Sequence, residues 1–376
     1  MNNRTRFLNT LRFLPVDHPP LTAGGEWATT RRRWESEGLP RGADLNDYFS
    51  LEPLPIRPVA VDTLLCPPFK ERIIEGTGEF VVKINARGVK ERNFKHGNSM
   101  PEHLEYPIKG PADLAWLRER LNPDVPDRVS TAWLDDARRM QDAGTVVFCN
   151  GGMYFGFLNE HMGTQPLLYA YFDSPDFIHA VNDLLCTCCE RAFETVLPHF
   201  RLDTIGLHED MGYKNGPLIS PAMFREFMMP YYRRALRLPD AHRIDIRWMD
   251  SDGDIRQLIP LWLECGVNCF APMEVAAGMD VVAIRKEYGR QALMIGGFDK
   301  RILAAGKPEI KRELERLRPV IEEGGYVPGG RPFHSARRAV GELQVFRGGA
   351  EGDVWDEVKR GEEDARMGGH GEEEEY

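Results

Sequence analysis

Five acidic stretches punctuate the chain, each placed just after a short apolar run: Glu26, His208-Glu209-Asp210, Asp250-Ser251-Asp252-Gly253-Asp254, Glu274 and Asp299-Lys300-Arg301. Acids scattered over helices are solvated surface. Acids at the ends of successive parallel strands converge on one cavity, and barrels of alternating strands and helices carry their chemistry at that end. Two carboxylates about 4 Å apart repel by about 4 kcal/mol at an effective dielectric near 20, so such a set must hold a proton, a cation or a basic side chain. Lys214 and Arg301 are the internal cations within reach in sequence; a divalent metal or a cationic ligand is the external one. Asp250 and Asp252 are the candidates to bind that metal or to act as acid and base, with Glu209 as a third candidate catalytic group. Glu26, His208, Asp210, Lys214, Glu274, Asp299 and Arg301 are candidates for holding substrate and balancing charge.

Several familiar arrangements are excluded. Asp250-x-Asp252-x-Asp254 begins like a calcium loop, but Ile255 stands where the turn glycine belongs and Leu261 where the bidentate glutamate belongs. His208-Glu209 is followed by Gly212 where a zinc protease has its second histidine. No Gly-x-Ser-x-Gly elbow occurs, and Gly151-Gly152-Met153-Tyr154-Phe155-Gly156 departs from the dinucleotide order.

The elements that must position these residues recur as an apolar run, a polar loop and an amphipathic stretch. Expected strands are Pro19–Glu26, Val59–Cys66, Thr145–Asn150, Thr204–Glu209, Ile244–Asp250, Val267–Glu274, Ala292–Asp299 and Gly325–Pro328. Helical patterns between them include Pro175–Leu197, Pro221–Leu238, Asp254–Cys265, Val281–Tyr288 and Lys307–Glu322. Ser174-Pro175 and Ser220-Pro221 mark two helix starts, where proline's missing N–H costs nothing. Eight strands alternating with helices predict an α/β chain folded as a (β/α)8 TIM barrel over residues 1–330. Glu79–Arg87 also reads as a strand, part of a hairpin inserted over the barrel mouth.

A chain of 376 residues, 42% apolar, can bury such a core. Its net charge of −10 would repel a polyanion, so a small-molecule substrate and no nucleic acid is the expected partner class. The local basic run Arg31-Arg32-Arg33 reads as a solvated helix face or an anion clamp. Seven cysteines, three of them at Cys186, Cys188 and Cys189, lack zinc spacing and read as reduced side chains packed in a helix. Met1–Leu14 lacks the apolar core of a signal peptide and no run reaches membrane length, so a cytoplasmic protein without a membrane partner is expected.

Several stretches resemble the uroporphyrinogen decarboxylase (URO-D) superfamily, which includes cobalamin-linked methyltransferases. They are Arg6–Arg12 with Val16-Asp17, Pro217–Pro221, Phe224–Phe227, Pro230-Tyr231-Tyr232, Asp250–Ile255 and Gly296–Arg301. The resemblance covers roughly residues 4 to 328 and implies a (β/α)8 barrel with the active cavity at the strand C-termini. It leaves the reaction open. Decarboxylases of the superfamily hold substrate carboxylates with an Arg-Gln-Ala-Gly-Arg stretch, where this chain has Glu26-Trp27-Ala28-Thr29-Thr30-Arg31. Its methyltransferases bind zinc with His-x-Cys after the fifth strand and a cysteine after the eighth. Here the pair is Asp250-x-Asp252 and no cysteine follows Cys269, and oxygen ligands favour a harder ion. The resemblance implies metal-assisted methyl transfer, with a corrinoid protein as partner, slightly ahead of decarboxylation of a porphyrinogen-like polycarboxylate. A non-catalytic binding protein or an inactive product is the third reading.

The resemblance stops near Pro328, residues 331–376 are atypical, and Glu351–Tyr376, glycine- and charge-rich and ending in four glutamates and a tyrosine, is expected to be disordered. Back-translated with allowed codons and read one base later, Phe333–Gly348 can give FIPPDVRWENYRYFVE, a segment of the kind that closes the barrel in this branch of the superfamily. A shifted reading frame is therefore expected, with the tail no part of the fold. Resequencing the coding DNA checks this: a sequence unable to encode the alternative segment disposes of the frameshift.

Overall fold

In the computed structural model, which describes residues 1–20, 22, 28–49, 51–95, 100–299, 301–302 and 305–329, the apolar runs form parallel strands joined through helices. Glu26, Lys300 and the tail from 330 onward lie outside the described residues. In chain order the strands are β1 (Ile56–Pro58), an inserted group β2 (Arg72–Gly76), β3 (Phe80–Ile84), β4 (Lys90–Phe94) and β5 (Glu102–Glu105), then β6 (Val146–Asn150) and β7 (Thr204–His208). The short pair β8 (Gly212–Tyr213) and β9 (Gly216–Pro217) follows, then β10 (Arg247–Asp250), β11 (Cys269–Ala271), β12 (Leu293–Gly297) and β13 (Tyr326–Gly329). The main sheet is all parallel in the order β1-β6-β7-β10-β11-β12-β13.

This is the α/β fold of a TIM-like barrel, with seven strands rather than the expected eight among the described residues. The sheet is curled, since β1 at one edge and β13 at the other line the same cavity. At the seam between those edges Thr22 bridges Glu52, and its oxygens pack against Gly329. The expected first strand, Pro19–Glu26, is described only in part, and Thr22 is its one bridged residue.

Most element expectations agree with the structure to within a few residues. Val59–Cys66 is the exception: the strand there is Ile56–Pro58. The Val59 N–H still bonds the Phe148 carbonyl at 2.8 Å, but the chain then leaves the sheet. The buried Arg128 guanidinium takes the carbonyls of Asp62 and Leu64, competing with a ladder for them. Pro221–Leu238 is three short helices, Pro221–Phe227, Met229–Ala235 and Arg237–Ala241, because Pro230 has no N–H to continue the first. Ser220 caps Pro221–Phe227 by accepting from the Met223 N–H at 3.2 Å. All seven cysteines are reduced and buried, with Cys186, Cys188 and Cys189 inside helix Pro175–Val196. The inserted sheet β2–β5 is a four-stranded antiparallel sheet rather than a single hairpin. It is flanked by the Arg87–Glu160 ion pair and the Ile108 N–H bond to the His161 carbonyl, both on the helix that follows β6. No described helix is long and apolar enough to cross a membrane.

The two ends of the barrel differ. Helix Asn3–Leu11, capped by the Asn2 side chain, plugs the N-terminal end: Phe7, Leu8 and Leu11 bury against Val146, Ile246 and Leu293. The opposite end is left for chemistry. Midway, Phe148 and Trp248 meet edge to face with centroids 5.1 Å apart, straddling Gly206. A Cβ on Gly206 would stand 2.7 Å from both rings. Gly206→Ala should therefore destabilise the protein by about 1–3 kcal/mol through overpacking. Urea unfolding measures this, and an unchanged midpoint would show that the rings move apart freely.

Candidate active site at the barrel mouth

Strand register brings the first pair of functional side chains together. His208 ends β7, Asp250 ends β10, and the two are direct partners across neighbouring strands, so they project from the same face. His208 Nδ1 lies 3.6 Å from Asp250 Oδ2, and its Nε2 lies 3.4 Å from Asp210 Oδ2. Asp250 is 5% exposed, whereas His208 and Asp210 are 36% and 46% exposed, so the triad runs from the barrel interior out to solvent. Asp210 reaches back because its backbone is in the left-handed region, at φ 48°. Its Oδ1 also accepts from the Asp252 N–H at 3.2 Å.

Below the triad is a cavity of about 320 Å³, with Asp250 in its wall beside Phe148, Trp248, Pro272 and Ile295. Its size is at the lower end of small-molecule sites, about 300–1,000 Å³. Arg57 is its one basic lining residue among those described.

Glu209 is corrected by alternation. One position from His208, it points the other way and is fully buried behind the sheet. There it accepts from the N–H groups of Tyr154 (3.0 Å) and Gly156 (2.8 Å) and from the Tyr232 hydroxyl. Burial pushes its pKa up to about 7, and those donors restrain the rise. Gly156 is needed for this approach, since a Cβ there would meet the Glu209 carbonyl oxygen at 2.8 Å.

The other expected residues do not join the triad. Asp252 is exposed and Glu274 half-buried; Glu274 accepts from the Gly253 N–H at 2.8 Å and so braces the loop after β10. Lys214 is exposed between β8 and β9. Asp299 pairs locally with Arg301 at 2.8 Å, and neither lines the cavity. Arg31 donates to the Ala43 carbonyl and Arg33 pairs with Glu37 within and beside helix Ala28–Ser36. The sequence reading missed Phe148 and Trp248 as cavity walls, although Trp248 stands two positions before Asp250 and so shares its face.

His208, Asp210 and Asp250 offer one imidazole nitrogen and two carboxylate oxygens within 4.8 Å of one another. That donor set fits a divalent ion of the borderline or harder kind. Asp252 is not part of it. Without an ion the imidazole itself supplies the counter-charge. Burial opposes its charged form, but hydrogen bonds and field from Asp210 and Asp250 outweigh burial and raise its pKa to about 10.

Among known proteins, one family model matches part of the chain and one solved structure shares its fold. Residues 162–328 match the family model for uroporphyrinogen decarboxylase (URO-D). A methyltransferase from Methanosarcina mazei superposes with a TM-score of 0.57 at 14% identity, covering 96% of this chain and 99% of its own. A putative vitamin-B12 independent methionine synthase from Listeria monocytogenes gives 0.37 at 12% identity, over 60% of this chain and 70% of its own. A B12-independent methionine synthase from a Shewanella species, in complex with selenomethionine, gives 0.40 at 8%, over 93% and 99%. No curated protein sequence matches.

The raised His208 pKa has a definite sign in stability. Below about 6.5 the imidazole is charged folded or unfolded, and its contribution is fully present; it is lost as pH rises through about 10. The urea midpoint of metal-free protein should fall across that window, and less steeply in His208→Asn. Parallel profiles for the two proteins would remove His208 from the account.

Proposed function

We propose that the chain, which resembles the uroporphyrinogen decarboxylase superfamily in sequence and fold, is an enzyme acting on a small molecule in the mouth cavity. The reaction proposed is metal-assisted methyl transfer. The observation that carries the reading is the cavity itself: mostly apolar walls, about 320 Å³, with Asp250 its one acid and Arg57 its one base among the described lining residues. A porphyrinogen-like polycarboxylate needs several cations to replace the water around its carboxylates. A single arginine opposes that substrate, while a compact, mainly apolar molecule with one polar end suits the space.

His208, Asp210 and Asp250 would hold the divalent metal. Bound there, such an ion acts as a Lewis acid that draws charge from the heteroatom giving up or receiving the methyl group. Asp250, nearly buried, fixes the imidazole from inside, and Asp210 fixes it from the solvent side. Asp252 and Glu274 set the loop after β10 at the rim, where Lys214 and the Asp299–Arg301 pair are further candidates to meet substrate. Glu209 is a positioning residue in this scheme, tying the end of β7 to the start of helix Phe155–Met162. The likeness to a methyltransferase supports the choice of reaction, and a corrinoid protein docked over the open mouth is the partner it suggests.

Thermal unfolding with added zinc or manganese tests the reading. Metal at about 100 times its dissociation constant should raise the midpoint by about 3–4 °C, and Asp250→Asn should abolish the rise. Stabilisation by a porphyrinogen polycarboxylate and none by metal would transfer support to decarboxylation. No response to either would leave a non-catalytic protein.

A further inference from the structure

The plugged base of the barrel carries a second cavity, of about 210 Å³, remote from the mouth. Its charged lining is Arg4, Arg12, Arg201 and Arg243 with Asp203 and Asp245. Arg4 donates from Nε and Nη2 to the two oxygens of Asp203, and Arg12 does the same to Asp245. Those two pairs cancel. The guanidiniums of Arg201 and Arg243, both on exposed residues, make no hydrogen bond or close ion pair among the described residues, although the charge of Arg201 also acts on Asp245; the lining thus carries four arginines against two aspartates, an excess of two positive charges around one small space. In a chain of net charge −10, so local a surplus is unusual.

The topology explains how it arises. Arg201 and Arg243 each stand two positions before an aspartate, Asp203 and Asp245, in the turns that lead into β7 and β10. Those strands are neighbours, so the two turns lie side by side. Helix Asn3–Leu11 and the residue that ends it bring Arg4 and Arg12 across both. Like charges converging without an anion repel, and arginine forks match the oxygens of a tetrahedral anion.

We propose that this pocket binds a phosphate group, free or as the monoester of a small metabolite, between Arg201 and Arg243. An adjoining cavity of about 400 Å³ shares Arg12 and Asp245 and is walled by Leu11, Leu14 and Leu293, which gives an ester's carbon chain an apolar seat. The anion would tie the plugging helix to the turns before β7 and β10. From Thr204 to His208 the strand spans roughly 13 Å at about 3.3 Å per residue, so the site is separate from the mouth.

Titration calorimetry of the full chain with inorganic phosphate and with butyl phosphate, at fixed ionic strength against chloride, tests this. Saturable one-site binding is expected, weakened at least tenfold in Arg201→Ala and in Arg243→Gly. Arg243 sits at φ 54°, a backbone that glycine adopts without strain, so that variant loses the cation and keeps the turn. Tighter binding of butyl phosphate would identify an ester as the ligand, and equal binding would identify free phosphate. No binding above the chloride control, or undiminished binding in both variants, would overturn the site.

Discussion

An imidazole held between two carboxylates sets the terms for the mouth of this barrel. Asp210 lies 3.4 Å from one nitrogen of the His208 ring and Asp250 3.6 Å from the other, and together they favour its charged form. The pairing of β7 with β10 fixes His208 opposite Asp250, the left-handed turn at Asp210 closes the other side, and Asp210 in turn anchors the backbone of Asp252. The loop after β10 therefore takes its shape from the same charge balance that the proposed metal would enter. An ion entering would take over the ring's electrostatic role and displace its proton.

The same strand shows how a sequence conceals its geometry. His208 and Glu209 are neighbours in the chain and were natural to read as one acidic cluster. Alternation along a strand puts them on opposite faces, one over a cavity and one in a dry layer of helices. Glu209 is satisfied there by two backbone N–H groups and a tyrosine, contacts that come from residues 154–156 and 232 and carry no signature next to it in sequence. The parity argument was available from Gly206 and Trp248. What sequence could not give is that Phe148 and Trp248 wall an open space, because an apolar strand residue reads alike whether its neighbours fill the interior or stop short of it.

The fold was more legible than the site. Six of the expected strands recur within a few residues because apolar runs bounded by turn residues have few other ways to bury both faces. The strand misplaced at Val59–Cys66 failed for a non-local reason: Arg128, far along the chain, captures carbonyls that a ladder would have used. The inserted sheet β2–β5 was half seen, as one strand of a hairpin, and its seat on the helix after β6 depends on single long-range contacts such as Arg87 with Glu160.

The plug at the base has a kinetic side. The Gly325 N–H bonds the Thr10 carbonyl at 2.6 Å, and Arg285 stacks over Phe13, so one short helix is sealed by partners roughly three hundred positions away. Contacts of such separation reward the chain only after the intervening loops have closed. The separation of these contacts predicts that helix Asn3–Leu11 engages late, as a latch over the floor formed by β6, β10, β12 and β13. Until then Phe7, Leu8 and Leu11 face water, and the half-built barrel carries matching apolar surfaces at both of its ends of sequence. A chain organised this way is more exposed to association with its own copies while folding than after it.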